Sequence, residues 1–287
     1  MRQRTLNKNR GSQKNKKMER RPDLKIIIPT YGRQGNQKTY ACLPPKYQNL
    51  VHFIVRDEEY GFFSKSYPQN KIHRLPKAVE NIANTRQWIR DKFTNDRVIV
   101  FDDNLKYIRK VVEQDGKWLR IDLTEVDFDN LVTRIHDHLD TYVHGALVFD
   151  KSIGPNQYGT THYINGRVIT NIFADFSRWP KDVKYDDDPR FCCGSDTYIT
   201  LALISRGFAN VIITNYCVSK TYREQGGCNT YRTIEKHNTS CEALKELFPQ
   251  FVTLKSGVIK QGIWKGQVML TTICHWKKAY KACTLKV

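Results

Sequence analysis

The apolar positions of this chain fall into short unbroken runs separated by stretches of helical period. Leu24-Lys25-Ile26-Ile27-Ile28-Pro29 predicts a first strand, stopped by Pro29 and followed by the glycine-punctuated loop Thr30-Tyr31-Gly32-Arg33-Gln34-Gly35. Val51–Val55 predicts a second strand. Between Pro76 and Phe93 the apolar residues Val79, Ile82, Ala83, Ile89 and Phe93 recur at helical spacing, which predicts an amphipathic helix. It leads into Val98-Ile99-Val100-Phe101, β-branched in three of four positions, a pattern that fits a strand covered on both faces. Strand, loop, strand, helix, strand is the alternation of an α/β sheet.

The pattern continues in the same manner. Phe128, Leu131, Val132, Ile135 and Leu139 mark a second helix, and residues 146–149 another buried strand. Asn165-Gly166 supplies the positive φ angles of a two-residue turn, so 161–164 and 167–170 are expected to pair as a hairpin. In "FCCGSDTYITLALISRGF", Ser195 reads as an N-cap, Ile199, Ala202 and Leu203 as the buried face, and Gly207 as the stop. Asp196 then falls in the first helical turn. Val211-Ile212-Ile213 forms the next strand, and "TYREQGGCNTYRT" a polar loop. A short helix at 242–248, strand-like runs at 251–254 and 267–273, and the basic-aromatic "CHWKKAYKACTLK" close the chain. The expected division is a disordered basic arm at 1–22, a catalytic-size domain at 23–240, and an extension at 241–287 packing on it.

Composition adds a partner class. The chain of 287 residues carries 47 Lys and Arg against 29 Asp and Glu, a formal charge of +18. Such an excess suits a polyanion, because basic residues release condensed counterions from nucleic acid; a solvated basic surface accounts for it as well. Residues 1–22 hold nine Lys or Arg and one Glu, too little apolar surface to fold alone. No run approaches the ~18 apolar residues of a membrane span, and the N-terminus lacks a signal-type apolar stretch. A cytosolic protein is expected, with its eight cysteines, none in a CxxC pair, as reduced thiols.

The chemistry concentrates at Asp102-Asp103-Asn104, directly after the buried run. Ligands of open α/β sheets bind at the carboxyl ends of strands. Two adjacent acids repel unless a cation or hydrogen-bond donors hold them. A strand ending in an Asx-type turn fits the same tripeptide.

Three stretches in order, IIIPTYGR, then ANTRQWI leading into VIVFDDN, then GSDTYITLALISRGF, resemble the nucleotide-sugar-binding core of inverting glycosyltransferases with the GT-A fold, over about residues 24–214. With REQGG at 223–227 and the basic arm, the chain more closely resembles the TET-associated glycosyltransferases. These are relatives of base J glucosyltransferase that occur in phages and modify hydroxymethylated pyrimidines in DNA. The resemblance implies a mostly parallel, Rossmann-like central sheet flanked by helices, a UDP-sugar donor, a DNA acceptor, no membrane and no identifiable protein partner. It also implies Mn2+ or Mg2+ on Asp103 with Asp102 as accessory ligand, and a donor held by Thr30, Tyr31, Arg33, Arg86 and Asp102. Asp196 becomes the general base, and Arg223 and Glu224 with Gly226 and Gly227 a flap over the donor. Trp276, Lys277 and Lys278, with Tyr280, would stack on bases and hold phosphates; the same stretch also fits a terminal strand with one solvated face.

Several features depart from the family pattern. The acidic tripeptide is Asp-Asp-Asn and lacks the third acid of Asp-X-Asp, and Ser195-Asp196 stands where many relatives have Glu-Asp. No QxxRW motif is visible, against a processive polysaccharide synthase. An isolated histidine such as His237 fits either a third metal ligand or a structural role, and Asp196 in a first turn also fits plain helix stabilisation. Two other functions remain open at this level: a transferase acting on a glycan, lipid-linked sugar or protein, and a nucleic-acid-binding protein with an inactive core.

Overall fold

The computed structural model describes residues 23–220, 226–261 and 264–284. Its strands in chain order are β1 (Leu24–Pro29), β2 (Val51–Val55), β3 (Ile72–Arg74), β4 (Arg97–Phe101), β5 (Leu105–Gln114) and β6 (Lys117–Asp122). They continue as β7 (His144–Phe149), β8 (His162–Ile164), β9 (Asn171–Asp175), β10 (Asn210–Lys220), β11 (Val252–Val258) and β12 (Val268–Cys274). The helices are α1 (Lys38–Ala41), α2 (Pro45–Gln48), α3 (Tyr60–Ser66), α4 (Ile82–Lys92), α5 (Glu125–Thr141), α6 (Ser195–Ile204), α7 (Ile234–Leu247) and α8 (Trp276–Thr284).

Among the described residues, β1 to β10 form one sheet in the spatial order β3, β2, β1, β4, β9, β7, β10, β5, β6, with β8 on β10. Seven of the ten strands point the same way; β5, β8 and β9 oppose them. Strand alternation sends Ile27, Val98, Val100 and Ala146 to one face and Ile26, Ile28, Ile99 and Phe101 to the other. The first face is covered by Ile89 of α4 and by Ile199, Ala202 and Leu203 of α6. The second is covered by Phe128, Leu131, Ile135 and Leu139 of α5, which Thr124 starts with a capping box. The expected helix-flanked, mostly parallel sheet is therefore present. β11 and β12 form a separate hairpin against α7, and Ala243, Leu244, Val252 and Ala279 join the first core.

Five expectations are corrected. The Asn165-Gly166 turn closes no hairpin: β8 pairs with β10, and Asn210 captures the turn instead. Its side chain accepts from Gly166 N and donates to Gly166 O, both at 2.9 Å. A Cβ on Gly166 would lie 2.4 Å from the Tyr163 ring, so the captured turn requires glycine. The 242–248 helix is the second half of α7, which starts at Ile234 because the Thr233 side chain caps Lys236 N at 3.1 Å. Its first turns are polar, which hides them from an apolar period. The helix expected from Pro76 begins at Ile82, where the Asn81 side chain caps Ala83 N and Asn84 N. Gly194, not Ser195, occupies the N-cap of α6. Trp276, Lys277 and Lys278 lie on helix α8, packed beside α6, and not on a strand. Among the described residues no helix is long and apolar enough to cross a membrane. The 1–22 arm, Arg223 and Glu224 lie outside the described residues.

Candidate active site

The carboxyl ends of β1 and β4 and the N-terminal turns of α4 and α6 open onto one cleft of about 590 Å³. Thr30, Tyr31 and Arg33 reach it from the loop after β1, and Arg86 from α4. Asp102 and Asp103 reach it from the end of β4, Asp196 from α6, and Gly227 from the loop after β10. The turn that carries the acids is clamped by the buried Thr39, whose hydroxyl donates to Asp102 O and accepts from Leu105 N. The Asp102 amide donates to Thr170 O at 2.9 Å.

Asp103 is almost fully buried and ion-paired with Arg33. Arg33 Nη2 donates to Gly226 O at 3.3 Å, and Gly227 N to Tyr31 O at 2.7 Å. The glycine pair thus lies against the loop after β1. Gly226 holds φ 89°, and a Cβ there would sit 2.6 Å from Tyr31 O, so this close approach demands glycine. Burial raises the Asp103 pKa to about 6, with Arg33 and the Thr30 hydroxyl holding it back. Asp103 Oδ2 has no hydrogen bond among the described residues, although the Thr30 hydroxyl favours its anionic form.

Asp102 is more open, with its side chain 26% exposed, and it stands between two cations. Arg86 Nη2 lies 3.8 Å from Oδ1 and Lys220 Nζ 3.5 Å from Oδ2. The other Arg86 nitrogen donates to Ser195 Oγ at 2.9 Å. Burial disfavours the Arg86 charge, but Asp196 and Asp102 outweigh it and raise its pKa. Arg86 therefore ties the acidic end of β4 to the start of α6. Asp196 Oδ1 accepts from Thr197 N at 2.9 Å, which turns its carboxylate toward the helix N-terminus.

The cleft is anion-seeking: seven lining Arg and Lys side chains face three lining acids. The oxygens that would be available to a divalent cation are the open Asp102 carboxylate and Asp103 Oδ2, which is buried without a hydrogen-bond partner among the described residues. Hard cations accept one or two carboxylates and complete their shell with substrate phosphates and water. Among the described residues no cluster of three or more His, Cys, Asp and Glu forms a ready metal cage. His237 offers no third ligand as it stands, since Nε2 meets Leu270 O at 2.9 Å and Nδ1 faces Arg232 Nη2 at 3.4 Å.

Trp276, Lys277 and Lys278 do not line the cleft. Two lining cations carry little signal in the sequence. Lys220 ends β10, beyond the apolar run that marks the strand. Arg56 follows β2 and rests its guanidinium 5.3 Å from the Tyr31 ring centroid; its only sequence signal is its place at the carboxyl end of a strand.

Comparison with known proteins gives three kinds of match. The family described as TET-Associated Glycosyltransferase matches residues 24–227. The Beta-glucosyl-HMC-alpha-glucosyl-transferases of Enterobacteria phages T6 and T2 are each 25% identical over 248 residues, 83% of this chain and 86% of theirs. Among solved structures, S. aureus TarS 1-349 is similar at TM-score 0.40 and 13% identity, covering 79% of this chain and 72% of that one. A likeness at that score says nothing about chemistry.

Proposed function

The chain belongs to the TET-associated glycosyltransferases, and from that premise we propose that it moves a sugar from a UDP-sugar to a hydroxyl on a modified pyrimidine of DNA, with inversion. The observation that carries this reading is the convergence of Asp102, Asp103 and Asp196 on one basic cleft, with Arg86 linking Asp102 to Ser195 at the start of α6. A modified-base acceptor is supported by the phage relatives, whose name joins glucosyl groups to HMC.

In this reading the nucleobase lies at the Tyr31 and Arg56 end, and the diphosphate is held by Arg86 and Lys220 beside Asp102. Arginine suits that task because its fork of donors matches phosphate oxygens. Asp102 and Asp103 would hold Mn2+ or Mg2+, which offsets the charge that gathers on the departing diphosphate. Asp196 takes the proton of the acceptor hydroxyl as its oxygen bonds to the anomeric carbon. The bond from that carbon to the phosphate oxygen breaks, and the nucleoside diphosphate leaves with the electron pair. Attack from the face opposite the leaving group inverts the anomeric centre. The buried Arg33–Asp103 pair positions the loop after β1 and is not asked to transfer a proton.

Incubation with hydroxymethylated DNA, a panel of sugar nucleotides and Mn2+, followed by nucleoside mass analysis, tests the reading. A hexose-sized or pentose-sized gain on one modified nucleoside is expected. Sugar transfer to a glycan or protein with no change in any nucleoside would overturn the acceptor assignment.

A further inference from the structure

One lip of the cleft, at Lys151 and Ser152, continues onto the β5–β6 ribbon. Asp150 makes the join: its carboxylate accepts from Tyr107 Oη at 2.8 Å and from Arg120 Nε at 2.7 Å. Arg120 Nη2 also donates to Tyr158 Oη at 3.2 Å, so the segment from 150 to 158 is fastened to the ribbon beside the cleft. Trp118 and Arg120 share one face of β6, being two residues apart on a strand. There the Trp118 and Tyr158 rings stack with centroids 5.0 Å apart and planes within 7°. Both rings are only half-buried, and Lys151 is exposed. On the same ribbon Arg109 lies over the Tyr107 ring at 4.3 Å and is paired with Asp122 at 2.7 Å.

The Trp118 and Tyr158 rings lie outside the cleft lining. We propose that the Trp118–Tyr158 stack is the platform on which the DNA strand flanking the target base docks, with Lys151 holding a phosphate where that strand enters the cleft. This rests on the reading of DNA as the acceptor. A base that must reach Asp196 inside a cleft has to leave its own stack, at a cost of a few kcal/mol, and its neighbours lose a stacking partner. A flat aromatic pair restores stacking to such a neighbour whatever its sequence, and Lys151 at the cleft lip attracts the adjoining phosphate. The excess of positive charge on the chain is complementary to that strand. Trp276, Lys277 and Lys278, on α8 and outside the cleft lining, are not needed for this path.

The test uses the full chain and a fluorescein-labelled single-stranded oligonucleotide, with anisotropy read across a salt series and UDP binding measured calorimetrically in parallel. Trp118→Ala is expected to weaken oligonucleotide binding about tenfold, the scale of one lost base stack. Lys151→Ala should lower the salt slope by about 0.7, one phosphate contact on a single strand. Trp118→Ala, outside the cleft lining, should bind UDP as the wild type does. Lys151 is exposed, so its variant keeps the test decisive if Trp118→Ala fails to fold. Wild-type affinity and slope in either folded variant overturn the platform while leaving the DNA acceptor intact. Absence of oligonucleotide binding by the wild type, together with no transfer to hydroxymethylated DNA, overturns the acceptor reading itself.

Discussion

Asp196→Asn separates chemistry from structure more sharply than any other single change. Asp196 is the second residue of α6, and its Oδ1 accepts from Thr197 N at 2.9 Å, a bond that an asparagine oxygen retains. The folding cost is then confined to the lost charge at a helix N-terminus, about 0.3–1 kcal/mol, plus a weakened attraction to Arg86. A general base contributes about 10²- to 10⁴-fold to the rate, or about 3–5 kcal/mol of barrier at roughly 1.4 kcal/mol per tenfold. The variant should therefore melt within a few degrees of the wild type, bind UDP-sugar with little change, and lose at least about a hundredfold in kcat. Steady-state transfer assays beside calorimetric donor titration read both quantities. Retention of kcat within a few-fold would remove Asp196 from the proton transfer. Loss of donor affinity in step with kcat would recast it as an anchor for Arg86.

Further outcomes concern the neighbours of that residue. The folded Asp103 pKa of about 6 lies above the unfolded value, so its contribution to stability is present at low pH and lost as pH rises through about 6; urea midpoints should fall across that window in the wild type and fall less in Asp103→Asn. Arg33→Ala strands a buried carboxylate and should cost about 3–5 kcal/mol, seen as a lowered Tm near neutral pH. Gly226→Ala forces a Cβ to within 2.6 Å of Tyr31 O at a φ of 89° and should lower donor affinity, measured by calorimetry, as the loop shifts off Arg33. Chelation should abolish transfer and weaken UDP-sugar binding, with both restored by added Mn2+; full activity after exhaustive chelation would place the diphosphate on the basic side chains alone.

The parts of the fold visible in the sequence are those whose residues are buried on both faces. β1, β2 and β4 are short apolar runs, broken only by Lys25 and His52 and preceded in β4 by Arg97, because both cores claim alternate side chains, and the structure returns their positions closely. The β5–β6 ribbon lies at the sheet edge and mixes Lys and Arg with Val and Ile, which leaves it without a legible apolar pattern. The apolar signal of β10 ends at Ile213, where its pairing with β7 shifts register; the strand resumes and carries Lys220 to Asp102. Motifs bring Thr30, Arg33, Arg86, Asp102, Asp103 and Asp196 into view because each sits at the end of a legible strand or helix. The Arg33–Asp103 pairing is not legible, because a contact between residues 70 positions apart has no local pattern. Nor is the Trp118–Tyr158 stack, whose partners come from a strand and a loop.

The central claim is that a sugar diphosphate binds at the carboxyl end of β4 with the sugar facing Asp196. A crystal structure with a non-hydrolysable UDP-sugar analogue and Mn2+ tests it most directly. The expected density puts the diphosphate beside Asp102 and Arg86, the metal on the acid pair, and the anomeric carbon open toward the Asp196 carboxylate. Density for the analogue outside this cleft, or a sugar directed away from Asp196, would contradict the account.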